Sequence, residues 1–214
     1  MADLFDTARD THDRYYTPQP IADAFVRWLR VPAGASVLEP SVGGGAWVRA
    51  LREGGHHGPT TAVDIDPQAA GLAVANFAMP GDFARLDLGP ESSTPGPWDL
   101  CIGNPPFGVA GQHLAVALRR ARVVAWLLRS TFIEPTTAIT GGRFPRRDLL
   151  RDHPPWAVWL WPERIRFGGA KGSDSVLHAL HIWVPGHTGD SWTTTMCRPD
   201  LAGWMPPAVP WRTS

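Results

Sequence analysis

The sequence predicts an α/β fold, a mostly parallel sheet with helices on both faces. Strand-like and helix-like segments alternate along most of the chain. A glycine cluster, Gly43-Gly44-Gly45, marks the passage from the first strand to a helix, and the next strand ends in an acidic residue, Asp64. With 214 residues the chain has room for one such domain but not for two.

The elements follow in order. Pro20 suits the first turn of a helix running to about residue 30, with Ile21, Phe25, Trp28 and Leu29 on one face. A short apolar strand over 35–39 leads into the glycine cluster, and a helix carrying Trp47, Val48 and Leu51 stops at Gly54-Gly55. The second strand covers 61–65. Pro67 opens a further helix through Leu72, Val74 and Phe77, and a weaker third strand surrounds Phe83. The fourth strand, 98–103, is stopped by Asn104-Pro105-Pro106-Phe107. A helix over 112–120 and a buried strand over 122–128 come next. Residues 134–147, rich in Thr, Gly, Pro and Arg, read as a mobile loop. Strands over 156–161 and 176–184 bring the sheet to seven, joined by a connection with Arg164, Arg166 and Lys171. One domain is thus expected over 1–185, followed by an irregular tail over 186–214 that contains Thr, Pro and Trp.

Composition excludes some classes. The net charge is +0, so the chain exerts no general pull on a polyanion. Its basic residues are almost all arginine, which suits bidentate phosphate contacts; Lys171 is the sole lysine. Most of the 11 tryptophans belong in a core, with a few free to stack on bases. No apolar run reaches the roughly 18 residues of a membrane span, and the polar N-terminus does not read as a signal peptide. Cys101 and Cys197 form neither a disulfide framework nor a zinc pattern, which places the chain in the reducing cytoplasm. His56-His57 lacks nearby ligands, and His178 and His181 fall on opposite strand faces, so no metal site is expected.

Two constellations carry chemistry. The first runs Leu38-Glu39-Pro40-Ser41-Val42-Gly43-Gly44-Gly45, where glycines let the backbone approach a ligand, and Asp64 can accept hydrogen bonds from both ribose hydroxyls. A dinucleotide fingerprint is incomplete, since Val48 stands where its third glycine belongs. The second is Asn104-Pro105-Pro106-Phe107. The amino group of a nucleobase is a poor nucleophile because its lone pair is delocalised into the ring. Two acceptors on its hydrogens, the Asn104 side-chain oxygen and the Pro105 carbonyl, can draw the nitrogen towards tetrahedral geometry. Phe107 offers a ring on which a flipped base can stack.

With these motifs in this order, the chain resembles the gamma-class amino-methyltransferases of DNA over about residues 14–184. The resemblance implies a Rossmann-like class I methyltransferase fold, S-adenosylmethionine as cofactor, and N6 of adenine in DNA as target. It assigns Tyr16, Thr17 and Pro18 to the methionine end of the cofactor. The loop of Glu39, Pro40, Ser41, Gly43 and Gly45 would cradle the cofactor, with Asp64 and Ile65 at the ribose. Gly81-Asp82-Phe83 resembles the motif that reads the cofactor's adenine, with Asp87 a competing candidate for the acid. Asn104, Pro105, Pro106 and Phe107 take the catalytic positions. Phe167 resembles a second aromatic at the target base, and Arg143, Arg146, Arg147, Arg164, Arg166 and Lys171 are candidates for short-range contacts to the nucleic acid.

The chain resembles compact phage-type enzymes in which loops replace a separate target-recognition domain. Adenine in rRNA or tRNA, a protein glutamine amide and cytosine N4 are alternative targets for related chemistry. A catalytically silent nucleic-acid-binding subunit is the alternative of another class.

Overall fold

Pro18 ends an extended strap and its carbonyl accepts the first helical N–H groups, from Ile21 at 3.0 Å and Ala22 at 3.3 Å. Helix α1, Gln19–Leu29, then turns Ile21, Phe25, Trp28 and Leu29 inward and ends on Arg30 in the left-handed conformation. The computed structural model describes residues 15–86, 98–134, 146–168, 175–187 and 193–211. Arg143, Lys171, Asp87 and most of the loop expected over 134–147 lie outside the described residues.

The remaining elements are β1 (Val37–Glu39), α2 (Ala46–Glu53), β2 (Thr60–Asp64), β3 (Phe77–Pro80), β4 (Trp98–Gly103), α3 (Ala110–Arg120) and β5 (Ala121–Arg129). They continue with α4 (Arg146–Asp152), β6 (Ala157–Leu160), β7 (His178–Trp183) and β8 (Thr193–Met196). One sheet has the order β3-β2-β1-β4-β5-β7-β6-β8. β7 runs antiparallel to both neighbours and all other pairings are parallel.

Period-two alternation along the central strands divides the core between two faces. Leu100, Ile102, Val123, Ala125 and Leu127 meet α1 and α2, while Cys101, Val124, Trp126 and Leu128 meet Ala110, Leu114 and Ala117 of α3. Fully burying each of the larger side chains contributes about 1.5–3 kcal/mol.

Two elements differ from expectation. The helix expected from Pro67 through Phe77 is only a 3₁₀ turn, Ala70–Val74, and Phe77 opens β3. Consequently the third strand lies at 77–80 and Phe83 falls in the turn after it. The cause is the packing of Gly71 on the glycine loop, where its N–H donates to the Gly43 carbonyl at 2.8 Å. The second difference is β8, which lies in the segment expected to be irregular and makes the sheet eight-stranded rather than seven. After β8 the chain packs on α1. Trp204 meets Trp28 edge-on at 5.1 Å, and the Trp211 indole donates to the Leu29 carbonyl at 3.0 Å. That bond satisfies one of the helix's orphan C-terminal acceptors.

A Cβ at Gly71 would lie 2.7 Å from the Gly45 nitrogen, 2.9 Å from the Gly43 oxygen and 2.6 Å from the Val42 side chain. Backbone cannot yield as a side-chain tip can, so Gly71→Ala should cost about 1–3 kcal/mol in urea unfolding. Unchanged stability would show that the glycine loop has slack.

Candidate functional site

The strand order reverses between β1 and β4, the topological switch at which open α/β sheets bind ligands beyond the carboxyl ends of their strands. A cavity of about 420 Å³ lies there. The ends of three parallel strands feed it: Glu39 at the end of β1 with Pro40 and Ser41 after it, Asp64 at the end of β2 with Ile65 after it, and Asn104 after β4. Gly81, Asp82 and Phe83, after β3, complete one wall, and Tyr15, Tyr16 and Thr17 of the strap form another.

Loop shape follows from local chemistry. Gly43 and Gly45 adopt positive φ angles of 47° and 81°, which glycine reaches without strain. The Gly43 N–H donates to Asp64 Oδ2 at 2.7 Å, and the Asp66 N–H donates to Asp64 Oδ1 at 2.9 Å. Asp64 therefore ties the glycine loop to the end of β2 while keeping lone pairs for a ligand. Tyr16 lies over the same loop. A Cβ at Gly43 would come within 2.9 Å of its ring, so glycine is required for this contact. The Tyr16 backbone pairs with Gly168 in both directions, at 3.1 and 2.9 Å.

Glu39 is only 1% exposed, and its Oε2 has no hydrogen-bond partner among the described residues. Burial first and the neighbouring Asp64 second push its carboxyl well above the usual range, against Arg49 and the Val48 backbone. A carboxyl raised by folding stabilises the protein below its unfolded pKa of about 4.3 and loses that contribution as pH rises through the folded value. Glu39→Gln should therefore raise the melting temperature of the ligand-free protein at pH 7–8 relative to wild type, the gap closing towards pH 4. A gap that widens on acidification would show Glu39 to be ionised in the fold.

Asp82 caps the turn after β3 by accepting from the Ala84 N–H at 3.0 Å, and it faces Arg85 at 3.3 Å. His113, one turn into α3, reaches Asp82 at 3.8 Å and meets the Phe83 ring edge-on at 5.3 Å. Burial lowers the His113 pKa and Asp82 opposes this, while its Nδ1 has no partner among the described residues.

At the end of β4 the Asn104 Nδ2 donates to the Tyr15 carbonyl at 2.9 Å, and Oδ1 has no partner among the described residues. An amide held by its donor presents its oxygen in one direction. Pro106 lines the cavity, and its carbonyl accepts from the Val109 N–H at 3.1 Å as α3 begins.

Several of the expected residues stand off the cavity. Pro18 caps α1, Gly45 precedes α2 as its cap, and Pro105 is buried and does not line the cavity. Phe107 stacks on Tyr15 with centroids 5.6 Å apart, and the Arg129 guanidinium lies 4.8 Å from its centroid. Phe167 is 4% exposed, a core residue rather than an open stacking face, held between Tyr15 at 5.7 Å and His178 at 4.7 Å. Arg146 lies over the Phe132 ring at 5.1 Å, and Arg164 and Arg166 are exposed. None of these arginines lines the cavity. Arg147 is exposed and paired with Asp148 at 3.6 Å.

The sequence reading missed Tyr15, His113, Arg49 and Asp66. Tyr15 was signalled only by its place beside Tyr16-Thr17-Pro18, and His113 only by a polar residue on the stripe of Ala110, Leu114 and Ala117. Among the described residues no group of three His, Cys, Asp or Glu side chains could hold a metal ion. No helix among them is long and apolar enough to cross a membrane.

No protein-family model matches the chain. It is 31% identical over 121 residues to the type II methyltransferase M.TthHB8I of Thermus thermophilus, a match covering 55% of this chain and 26% of that protein. It is 29% identical over 103 residues to the type II methyltransferase M.XamI of Xanthomonas campestris pv. amaranthicola, covering 43% and 19%. The matches therefore span about a quarter or less of the relatives' length.

Three solved structures share the architecture. A Listeria monocytogenes protein assigned to the class I S-adenosylmethionine-dependent methyltransferases superposes with a TM-score of 0.62 at 12% identity, over 85% of this chain and 65% of that one. The modification subunit assigned to a type I restriction enzyme of Vibrio vulnificus gives 0.61 at 16% identity, over 89% and 48%. The 23S rRNA methyltransferase ErmE gives 0.56 at 17% identity, over 80% and 70%. The chain has the Rossmann-like fold of class I methyltransferases.

Proposed function

We propose that the chain is an S-adenosylmethionine-dependent methyltransferase whose target is the N6 amino group of adenine in DNA. The observation that carries this is the Asn104 amide, which lines the cavity: one N–H donates to the Tyr15 carbonyl, and its buried oxygen has no partner among the described residues. Such an oxygen, unsatisfied in the fold, is set to accept a hydrogen bond from a ligand amino group.

The residues fit the cofactor. The cavity lies within the size range of small-ligand sites, about 300–1,000 Å³. Asp64, Asp66 and Asp82 outnumber Arg49 along it, which suits a cofactor bearing ammonium and sulfonium charges. Asp64 would hold the ribose, Asp82 and Phe83 the cofactor's adenine, and Tyr16 and Thr17 the methionine end. When bound, S-adenosylmethionine supplies an electrophilic methyl group on a leaving sulfide, so no acid is needed.

The protein's work on the target is positioning and electrostatics. Asn104 Oδ1 would accept a hydrogen bond from one N–H of the target amino group and the Pro105 carbonyl from the other, directing the nitrogen lone pair at the methyl group. The C–S bond breaks as the N–C bond forms, and the cationic nitrogen then releases one proton to water. Phe107 supports the flipped base by stacking. The type II methyltransferase relatives favour DNA as the substrate.

The test is incubation with labelled cofactor and a panel of duplex DNA, single-stranded DNA, RNA and protein, followed by mass spectrometry of the digest. N6-methyldeoxyadenosine is expected. Label found only in N4-methylcytosine, RNA or protein would overturn the substrate, and absence of label in all four would overturn the activity.

A further inference from the structure

We propose that the Tyr15 ring holds the place of the target base in the empty protein and must leave Phe107 for the base to enter. This inference rests on the base-methylating function proposed above and concerns how the target site is filled.

Tyr15 is half-buried, lines the cavity and makes two ring contacts. It stacks on Phe107 with an interplanar angle of 27° and meets Phe167 edge-on at 75°. Both centroid separations, 5.6 and 5.7 Å, lie in the favourable range for aromatic pairs. Phe107 itself does not line the cavity. Phe107 also carries the Arg129 guanidinium at 4.8 Å and the tilted His178 ring at 5.7 Å. Of its three neighbours Tyr15 is the one that lines the cavity, so a base reaching Phe107 from the cavity meets the Tyr15 ring first. The base's contacts would be of the same kind, face-on to Phe107 and edge-on to Phe167.

The strap around the ring is pinned independently of it. The Tyr15 carbonyl holds Asn104 Nδ2, and the next residue is paired through its backbone with Gly168. The ring can therefore swing out while its own carbonyl keeps the Asn104 amide oriented. Tyr15 is in this sense a positioning residue through its backbone and a placeholder through its side chain.

Affinity for a base is reduced by the fraction of protein in which the place is taken. Removing the ring removes that competition. In the presence of S-adenosylhomocysteine, which prevents turnover, Tyr15→Ala should bind a fluorescein-labelled single-stranded oligodeoxyadenylate roughly 2- to 10-fold more tightly than wild type, the worth of one or two aromatic contacts. Tyr15→Phe, which keeps the ring, should restore the wild-type Kd.

A loss of packing alone would lower the melting temperature without tightening binding, so the direction of the change separates the two roles. Weaker binding by Tyr15→Ala would make Tyr15 a permanent stacking face for the base and overturn the placeholder. Unchanged binding, tightening by Tyr15→Phe alone, or an equal gain for oligodeoxythymidylate would overturn it too. If wild-type protein methylates no nucleic acid, the proposed function falls and the placeholder with it. If wild type methylates DNA and Tyr15→Ala binds no tighter, only the placeholder falls.

Discussion

Asn104→Ala is expected to reduce methyl transfer by roughly 10²- to 10³-fold, the usual loss when one preorganised polar group at the reacting centre is removed. Cofactor affinity should stay close to wild type, because the Asp64–Gly43 bond, which shapes the cofactor loop, does not involve Asn104. The two readouts are a methyl-transfer rate and a calorimetric titration. The structure also says why aspartate should not rescue. Asn104 donates to the Tyr15 carbonyl at 2.9 Å, and a carboxylate would set an oxygen against that oxygen. Near-normal turnover by Asn104→Ala would remove the amide from the reaction and leave the cavity as a binding site only.

Asp64→Ala should have the opposite signature, a large loss of cofactor affinity measured by calorimetry. The carboxylate accepts from the Gly43 and Asp66 N–H groups at 2.7 and 2.9 Å, so its removal frees the glycine loop as well as removing the contact to a ribose. A hydrogen bond to a charged group contributes about 1.5–3 kcal/mol, so affinity should fall roughly 10- to 100-fold. Asp64→Asn keeps one acceptor and should recover part of the loss. Binding unchanged in Asp64→Ala would move the ribose subsite elsewhere along the cavity.

Much of the site was legible because its chemistry is local in sequence. Asp64 ends one strand, Asn104 directly follows another and Gly43 lies four residues beyond a third, and in a parallel sheet strand ends gather at one edge whatever the loops do. The residues that were missed act across long separations. Tyr15 reaches Asn104 over 89 positions, and nothing in either segment announces the other. His113 was hidden because one polar residue on an apolar helical stripe has no pattern of its own. The helix expected after Pro67 yields to the contact of Gly71 with the Gly43 carbonyl, a tertiary override of local propensity. β8 was invisible because Thr193–Met196 becomes a strand through its parallel pairing with β6. Phe167 joins the core because the Tyr15 and His178 rings close around it.

The aromatic packing after β8 reaches further than the helix it touches. Trp204 rests on Trp28, Trp28 meets Trp161 at 6.0 Å, and Trp161 heads the loop that ends at Gly168, where Tyr16 is pinned. Indole thus stands on indole from Trp204 through Trp28 to Trp161. Bulk grafted onto Trp204 would therefore press on α1 and, through Trp161, on the loop whose end pairs with Tyr16 at the cavity wall.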